Sequence, residues 1–285
     1  MKIIVNGDDF GLTEGLNQGI MEAFEGGLLK SASLAATGDA FDSAARYAKD
    51  RPELSAGLHL ILCDERPATS VSAIFRGRVT GEALPSRGTL AAAIVSGGLD
   101  RAALYAEMRA QVERLLAAGL RVTHLDSHQH VHLLPGIFPL ALKLCRSYGI
   151  PFVRAAFHDP WSPAAGARRL IQYGMVRAAS ALALRLYSPG PIRSVPALGF
   201  LFAGGAMSAG RLDASLRRLS SAPAVEIVLH PGSNDEATRE KYRHWGYRWE
   251  NDRDLARSKD LAALFSRLNV EVSSFTELKD GAGRL

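Results

Sequence analysis

Two periodicities alternate along this chain, and that alternation constrains its fold more than any other feature. Short apolar runs lie at Lys2 to Asn6, Ala32 to Ala36, Leu54 to Leu60, Val122 to Leu125, Phe152 to Ala155, Val225 to Leu229 and Val270 to Phe275. Runs of this length suit strands buried on both faces, as in parallel sheets. Between them, apolar residues recur at helical spacing over Glu14 to Phe24, Phe41 to Lys49, Arg101 to Ala118, Ile137 to Tyr148, Arg211 to Leu219 and Leu255 to Leu268. Gly26 with Gly27, Gly119 and Gly149 stand just past helix ends, where glycine most cheaply adopts left-handed backbone. The pattern predicts a parallel sheet covered by helices, either open or closed as a barrel.

The chain has 285 residues, 47% hydrophobic and 22% charged, which is enough for one large core and carries no signature of disorder. A single domain over 1–285 is therefore expected, because strand-and-helix barrels commonly reach this length. Two stretches break the rhythm. Asp64 to Gly98 is rich in Pro, Gly, Ser and Arg and reads as a long excursion over the barrel mouth. His158 to Gly210 carries many Pro and Gly residues around one helix, Gly166 to Tyr187. On a helical wheel Arg168, Arg177 and Arg185 mix with apolar positions, so no amphipathic membrane-binding face is expected there.

The formal charge of +5 comes mainly from arginines read as scattered along the chain, and no basic stripe with interleaved aromatics points to nucleic acid. Cys63 and Cys145 stand far apart in no metal-binding spacing, compatible with a reducing compartment. The opening residues show no secretory signal, and no apolar run is long enough for a membrane span. A soluble cytoplasmic protein is the expectation. The oligomeric state is not fixed by the sequence, and a homodimer is compatible with it.

Chemistry concentrates where the apolar runs end. Asp8 and Asp9 follow the first run in GDDFG, and adjacent carboxylates repel unless a cation neutralises one of them. A solvated turn or a helix cap is the plainer alternative. In HLDSHQHVHLLP, the residues His124, Asp126, His128, His130 and His132 share one parity and point to one face while the chain stays extended. Alternate residues lie about 6.6 Å apart, so ligation of one ion by three of them would be strained. His59 in GLHL and His230 in EIVLHPG each close an apolar run. A parallel barrel would gather all these strand ends around one mouth.

GDDFG, GLHL, DSHQHVHLLP and the late LHPG, in this order, resemble the YdjC family, which includes chitooligosaccharide deacetylases and a hopanoid-biosynthesis-associated branch. The likeness runs from Met1 to about Pro151 and again from Val225 onward, and is weak between His158 and Gly210. It implies an irregular (β/α) barrel, TIM-barrel-like, and one divalent metal ion held by Asp9, His59 and His128. It further implies Asp8 as general base, His230 as general acid and, by analogy with related polysaccharide deacetylases, Arg154 orienting Asp8. The family commonly has Ala where this chain has Gly7.

Together these groups suit removal of an N-acetyl group from an amino sugar by activated water. Zinc or magnesium leads as the ion, and manganese or cobalt also fits such ligands. A phosphoesterase and a non-catalytic sugar-binding barrel remain open alternatives, the first requiring further carboxylates for a second ion. Asp126 is an unassigned candidate for that. Trp245 and the following GYRWEND string offer an aromatic platform for sugar or ordinary packing. The segment Tyr242 to Leu278 is more similar to the hopanoid-associated branch, which implies a lipid-linked N-acetylglucosamine as one form of the substrate.

Overall fold

The structure, a computed structural model, describes residues 1–280; the last five residues of the expected 1–285 domain lie outside the described residues. Nine strands are described: β1 (Lys2–Phe10), β2 (Ser31–Leu34), β3 (Ser55–Leu60), β4 (His124–Ser127), β5 (Phe152–Val153), β6 (Ala156–Phe157), β7 (Pro196–Leu198), β8 (Ala224–Leu229) and β9 (Glu271–Ser273). Every pairing is parallel, in the order β5-β4-β3-β2-β1-β8-β7-β6. β5 and β6 are two pieces of one strand interrupted at Arg154 and Ala155. β5 pairs β4 on one side, and on the other Phe152 bridges Arg193, just ahead of β7. The sheet therefore curls round on itself as an irregular, TIM-barrel-like (β/α) barrel, with β9 taking the amino-terminal half of the β1 edge that β2 leaves free.

Helices cover the outside. Ile3 and Val5 project outward from β1 into a core shared with Leu16, Ile20, Phe41, Leu104, Val112, Phe138, Leu212 and Leu264. Full burial of each such side chain contributes about 1.5–3 kcal/mol, which is why the helical stripes read from the sequence pack against these strands. Helix starts are capped by side chains: Thr13 Oγ1 accepts from Leu16 N, and Asp100 Oδ1 accepts from Ala102 N and Ala103 N. Gly119 and Gly149 do take left-handed backbone, at φ 84° and 65°, whereas Gly26 does not, at φ −107°.

Several boundaries differ from the expectation. β1 runs through Gly7, Asp8 and Asp9 to Phe10, and β4 starts and ends two residues later than the apolar run, because pairing with β3 selects Leu125 to Ser127. Val270 to Phe275 yields only a three-residue strand before a helix opens at Phe275. Leu255 to Leu268 is two helices, Trp249–Ala256 and Lys259–Arg267, capped anew at Ser258. β6 and β7 are too short to leave a periodic signal. The Asp64 to Gly98 excursion contains the helices Val71–Ile74 and Arg87–Val95. No helix among the described residues is long and apolar enough to cross a membrane.

The barrel interior follows the period of two. Ile4, Asn6 and Asp8 on β1 face inward with Ser33 on β2, Gly57 and His59 on β3, His124 and Asp126 on β4, and Glu226 on β8, as their contacts across the lumen require. A Cβ at Gly57 would sit 2.2 Å from His124 Nε2, so glycine there makes room for the imidazole. At Gly7 a Cβ would fall 2.9 Å from Leu29 Cδ1, a methyl at the end of a flexible side chain that a small shift would move aside.

Candidate active site

Asp9, His59 and His128 come together at the carboxyl ends of β1, β3 and β4, with one donor atom from each within 4.8 Å of the others. All three are buried. Asp8 already points into the lumen by strand parity, so the next residue should point out. Asp9 returns to the mouth because its φ is 69°, at the irregularity between Gly7 and Phe10 in the β1 to β2 register. Left-handed backbone at a non-glycine residue costs roughly 1–2 kcal/mol, a cost accepted here to turn two consecutive carboxylates into one site.

Asp9 Oδ1 lies 3.1 Å from His59 Nε2 and 3.3 Å from His128 Nδ1. Burial opposes ionisation of Asp9, but hydrogen bonds from His128 and His59 outweigh it and hold the carboxyl well below its usual range. His59 Nδ1 is 2.8 Å from Asp126 Oδ1, which fixes the ring and turns Nε2 toward Asp9. Burial alone would make His59 harder to protonate, yet Asp126 and Asp9 raise its pKa to about 10. The pocket thus rewards positive charge between these carboxylates.

Beneath this trio, Arg154 binds three buried carboxylates. Its Nη1 donates to Asp8 Oδ2 at 2.7 Å and its Nη2 to Asp8 Oδ1 at 2.8 Å; Nη2 also lies 2.6 Å from both Asp126 Oδ2 and Glu226 Oε1. Asn6 Nδ2 donates to Asp8 Oδ1 and Ser33 Oγ to Asp126 Oδ2. Burial pushes Glu226 up to about 7 despite Arg154. Four carboxylates, Asp8, Asp9, Asp126 and Glu226, share this interior with a single guanidinium. That excess of acid favours a further cation, and the donor set of one carboxylate and two imidazoles matches a divalent ion. Nε2 of His128 is buried without a hydrogen-bond partner, and Nε2 of His59 meets only Asp9 at 3.1 Å, so both atoms are placed to act as ligands.

Asp8, Asp9, His59, His128 and His230 all line one cavity of about 690 Å³. Arg154 does not line it and reaches it only through Asp8. His230, on the turn after β8, donates its backbone N–H to Asp252 Oδ2 at 3.0 Å, and its ring meets Tyr247 edge-on. Its Nδ1 lies 3.9 Å from the same carboxylate oxygen. The helix Glu14–Glu25 presses Gly19 so close to Gly232 that any Cβ there would strike backbone, which seats the His-Pro-Gly turn. Both excursions supply the rim: Asp64, Ser86, Arg87 and Gly88 from the first, Ala165 to Arg169 and Gln172 from the second. Trp245 and Tyr247 also line the cavity, with Trp245 stacked on Tyr242 and 5.0 Å from the His128 ring.

The shared-face expectation for the histidine run fails beyond Ser127. His128–Leu133 is a tight turn in which Gln129 and His130 have φ of 51° and 56°, so strand parity no longer applies. His124 lies deep in the barrel, stacked on Phe275 and facing Ser33. His132 ties Ser127 to the Arg154 carbonyl, and His130 packs against Phe157 and Phe200. Asp126 meets His59 and Arg154, well inside the mouth. Glu226 and Asn6 were missed, although a glutamate at an alternate position of the apolar run AVEIVL was a readable signal. Asp252 was missed because it sits on a helix remote in sequence from His230.

The chain is similar in fold to the crystal structure of an Enterococcus faecalis protein described in terms of cellobiose-phosphate cleavage, with a TM-score of 0.76, 22% identity and coverage of 97% of this chain and 98% of that one. In sequence it is 34% identical over 239 residues to a carbohydrate deacetylase of Brevibacillus brevis, covering 83% of this chain and 84% of the relative. A carbohydrate deacetylase of Listeria monocytogenes is 29% identical over 98% of this chain and 100% of its own. A third, from Geobacillus stearothermophilus, is 43% identical over 52% of this chain and 57% of its own. Residues 2–267 match the family described as YdjC-like protein, including the stretch from His158 to Gly210 where the motifs fade, and the chain belongs to that family.

Proposed function

We propose that the protein is a hydrolase that removes an N-acetyl group from an amino sugar, using a divalent ion held by Asp9, His59 and His128. The observation that carries this reading is the meeting of those three donors with Asp8 and His230 in one cavity, on a chain whose relatives are carbohydrate deacetylases. A divalent ion there supplies Lewis acidity, lowering the pKa of water and polarising the acetyl carbonyl.

Asp8 takes the proton from the attacking water. A carboxylate offers about four acceptor sites. Two on Oδ1 are used by Arg154 and Asn6 and one on Oδ2 by Arg154, so Oδ2 keeps the free lone pair that accepts the proton. Arg154 acts by holding that carboxylate in place through two hydrogen bonds. His230 donates a proton to the departing amine as the tetrahedral centre collapses, its ring placed beside the Asp252 carboxylate at 3.9 Å. Trp245 and Tyr247 provide apolar faces for a pyranose ring.

The phosphoesterase alternative is weaker, because the second cluster that could take an ion, Asp8 with His59 and Asp126, already has both carboxylates on Arg154. The acceptor is an N-acetylglucosamine-type oligosaccharide or, following the likeness to the hopanoid-associated branch, a glycolipid. The test is acetate release from a panel of both, before and after chelation and after re-addition of zinc, magnesium, manganese or cobalt. Metal-restored acetate release is expected. Phosphate release from aryl phosphates without acetate release would overturn the assignment.

A further inference from the structure

Apolar side chains are not distributed evenly over the surface. The large exposed hydrophobic residues are Val95, Leu116, Trp161, Ile171, Met175, Leu182 and Leu186, and the last five fall within one stretch. Four of those lie on the helix Ala167–Leu186. At about 100° per residue, Ile171, Met175, Leu182 and Leu186 fall within roughly 60° of arc and extend along about 22 Å of helix. The opposite face is the packed one: Tyr173, Ser180 and Ala183 are buried, with Tyr173 Oη donating to the Asp159 carbonyl and Ser180 Oγ to that of Ala155. The ridge that points to solvent is therefore apolar, with Met175 67% exposed and Ile171 65%.

Charge in the same region is one-sided. From Pro160 to Leu212 the sequence holds Arg168, Arg169, Arg177, Arg185, Arg193 and Arg211, and no Lys, Asp or Glu. The arginines are no denser here than elsewhere in the chain; what sets the stretch apart is the lack of any acidic residue, so that it alone carries six positive charges against a formal +5 for the whole chain. Arg168, Arg177 and Arg185 are exposed on the helix itself. Arg168 and Arg185 adjoin the apolar ridge on the outward face, whereas Arg177 stands about 120° from Ile171, against the Tyr173 ring. Long arginine stems can lie along an apolar surface while the guanidinium reaches a polar layer.

We propose that this ridge, with Trp161, rests on the surface of an anionic lipid bilayer, the arginines meeting lipid phosphates while Ile171, Met175, Leu182 and Leu186 enter the acyl boundary. A second copy of the chain fits poorly, since a symmetric contact would press two sets of arginines together with no acidic partner between Pro160 and Leu212. The amino-terminal end of the ridge is continuous with the cavity, whose rim includes Ala165 to Arg169 and Gln172. Docking would hold the mouth of the cavity at the lipid surface. This inference stands on the surface alone and does not depend on the reaction assigned above.

The test is sedimentation of the full-length protein with vesicles of phosphatidylcholine alone and with about 30% phosphatidylglycerol, a proportion that sets a strong negative surface potential. Binding to the anionic vesicles only, weakening as salt rises, is expected. The double variant Met175→Asp/Leu182→Asp should lower affinity at least about tenfold and Arg185→Glu about fivefold, with circular dichroism unchanged since all three side chains are exposed. As an independent readout in the unaltered ridge, brominated acyl chains should quench tryptophan fluorescence, and Trp161→Phe should remove that quenching. Failure to bind anionic vesicles at low salt, binding indifferent to Met175→Asp/Leu182→Asp, or a dimer that the same double variant dissolves would each overturn the proposal.

Discussion

Near the amino-terminal ends of the strands, Ile4 of β1, Phe152 of β5 and Phe275, the first residue of the helix after β9, fill the barrel interior with hydrocarbon. Two to four residues further along, Asn6 and Asp8 of β1 and Arg154, just past β5, fill it with hydrogen-bonded polar groups. Along β1, strand geometry and inward parity are the same for Ile4, Asn6 and Asp8, so the contrast there lies in the side chains alone. In the lower half, stability comes from burial and needs no partner for any one atom. In the upper half each carboxylate has been taken out of water, and it is tolerated because Arg154, Asn6, Ser33 and His59 meet it. The upper half is costly to build and chemically capable; the lower half closes the barrel and keeps water from entering behind the site.

The largest effect that would sharpen this contrast is on turnover. Asp8→Asn should lower kcat by about 10²–10⁴-fold, the usual worth of a general base, while divalent-ion binding measured by calorimetry persists. Full activity in this variant would remove Asp8 from the chemistry. Next, Arg154→Met should destabilise the fold by about 3–5 kcal/mol in urea unfolding, because Asp8, Asp126 and Glu226 would be left buried without their cation. It should also reduce turnover. Phe275→Ala, in the lower half, should cost about 3 kcal/mol of stability and leave kcat unchanged; a matching loss of turnover would show that the two halves are not separable.

The smallest effect concerns the boundary between the halves. Burial lowers the pKa of His124 from 6.5 to about 3, so the folded protein holds it neutral. Its contribution to stability is complete above pH 6.5, where the unfolded chain is also neutral, and is lost as pH falls from there toward 3. Unfolding free energy should therefore decline with acid across that window. His124→Gln should make the decline shallower by up to about 1.4 kcal/mol per pH unit, one proton's worth. An unchanged slope in that variant would place the acid sensitivity elsewhere.

Periodicity made most of the barrel legible, because burial on both faces forces apolar runs such as Val225 to Leu229, and helical stripes must match them. Phe41–Lys49 was readable to the residue. What escaped is short or aperiodic: β6 and β7, and the turn at His128 where the histidine run leaves the strand. Asp8, Asp9, His59, His128 and His230 were legible as polar residues ending apolar runs. Arg154 rested on analogy, and its contact with Asp8 is now visible. The ring of Asn6, Ser33, Glu226 and Asp126 was harder to read, because each residue alone looks ordinary and acquires meaning only when distant strands converge. The apolar ridge on Ala167–Leu186 was hidden for a different reason. A helical wheel shows which residues share a face, but not which face the fold leaves in water.

The left-handed backbone at Asp9 has a consequence for anyone improving this protein by directed evolution. Glycine or asparagine would occupy that conformation with less strain, and either would also take a buried negative charge out of the mouth. A screen scored on heat resistance alone should therefore enrich replacements at this position and quietly discard the carboxylate proposed to hold the ion, so survivors of such a screen need to be assayed for turnover before the next round.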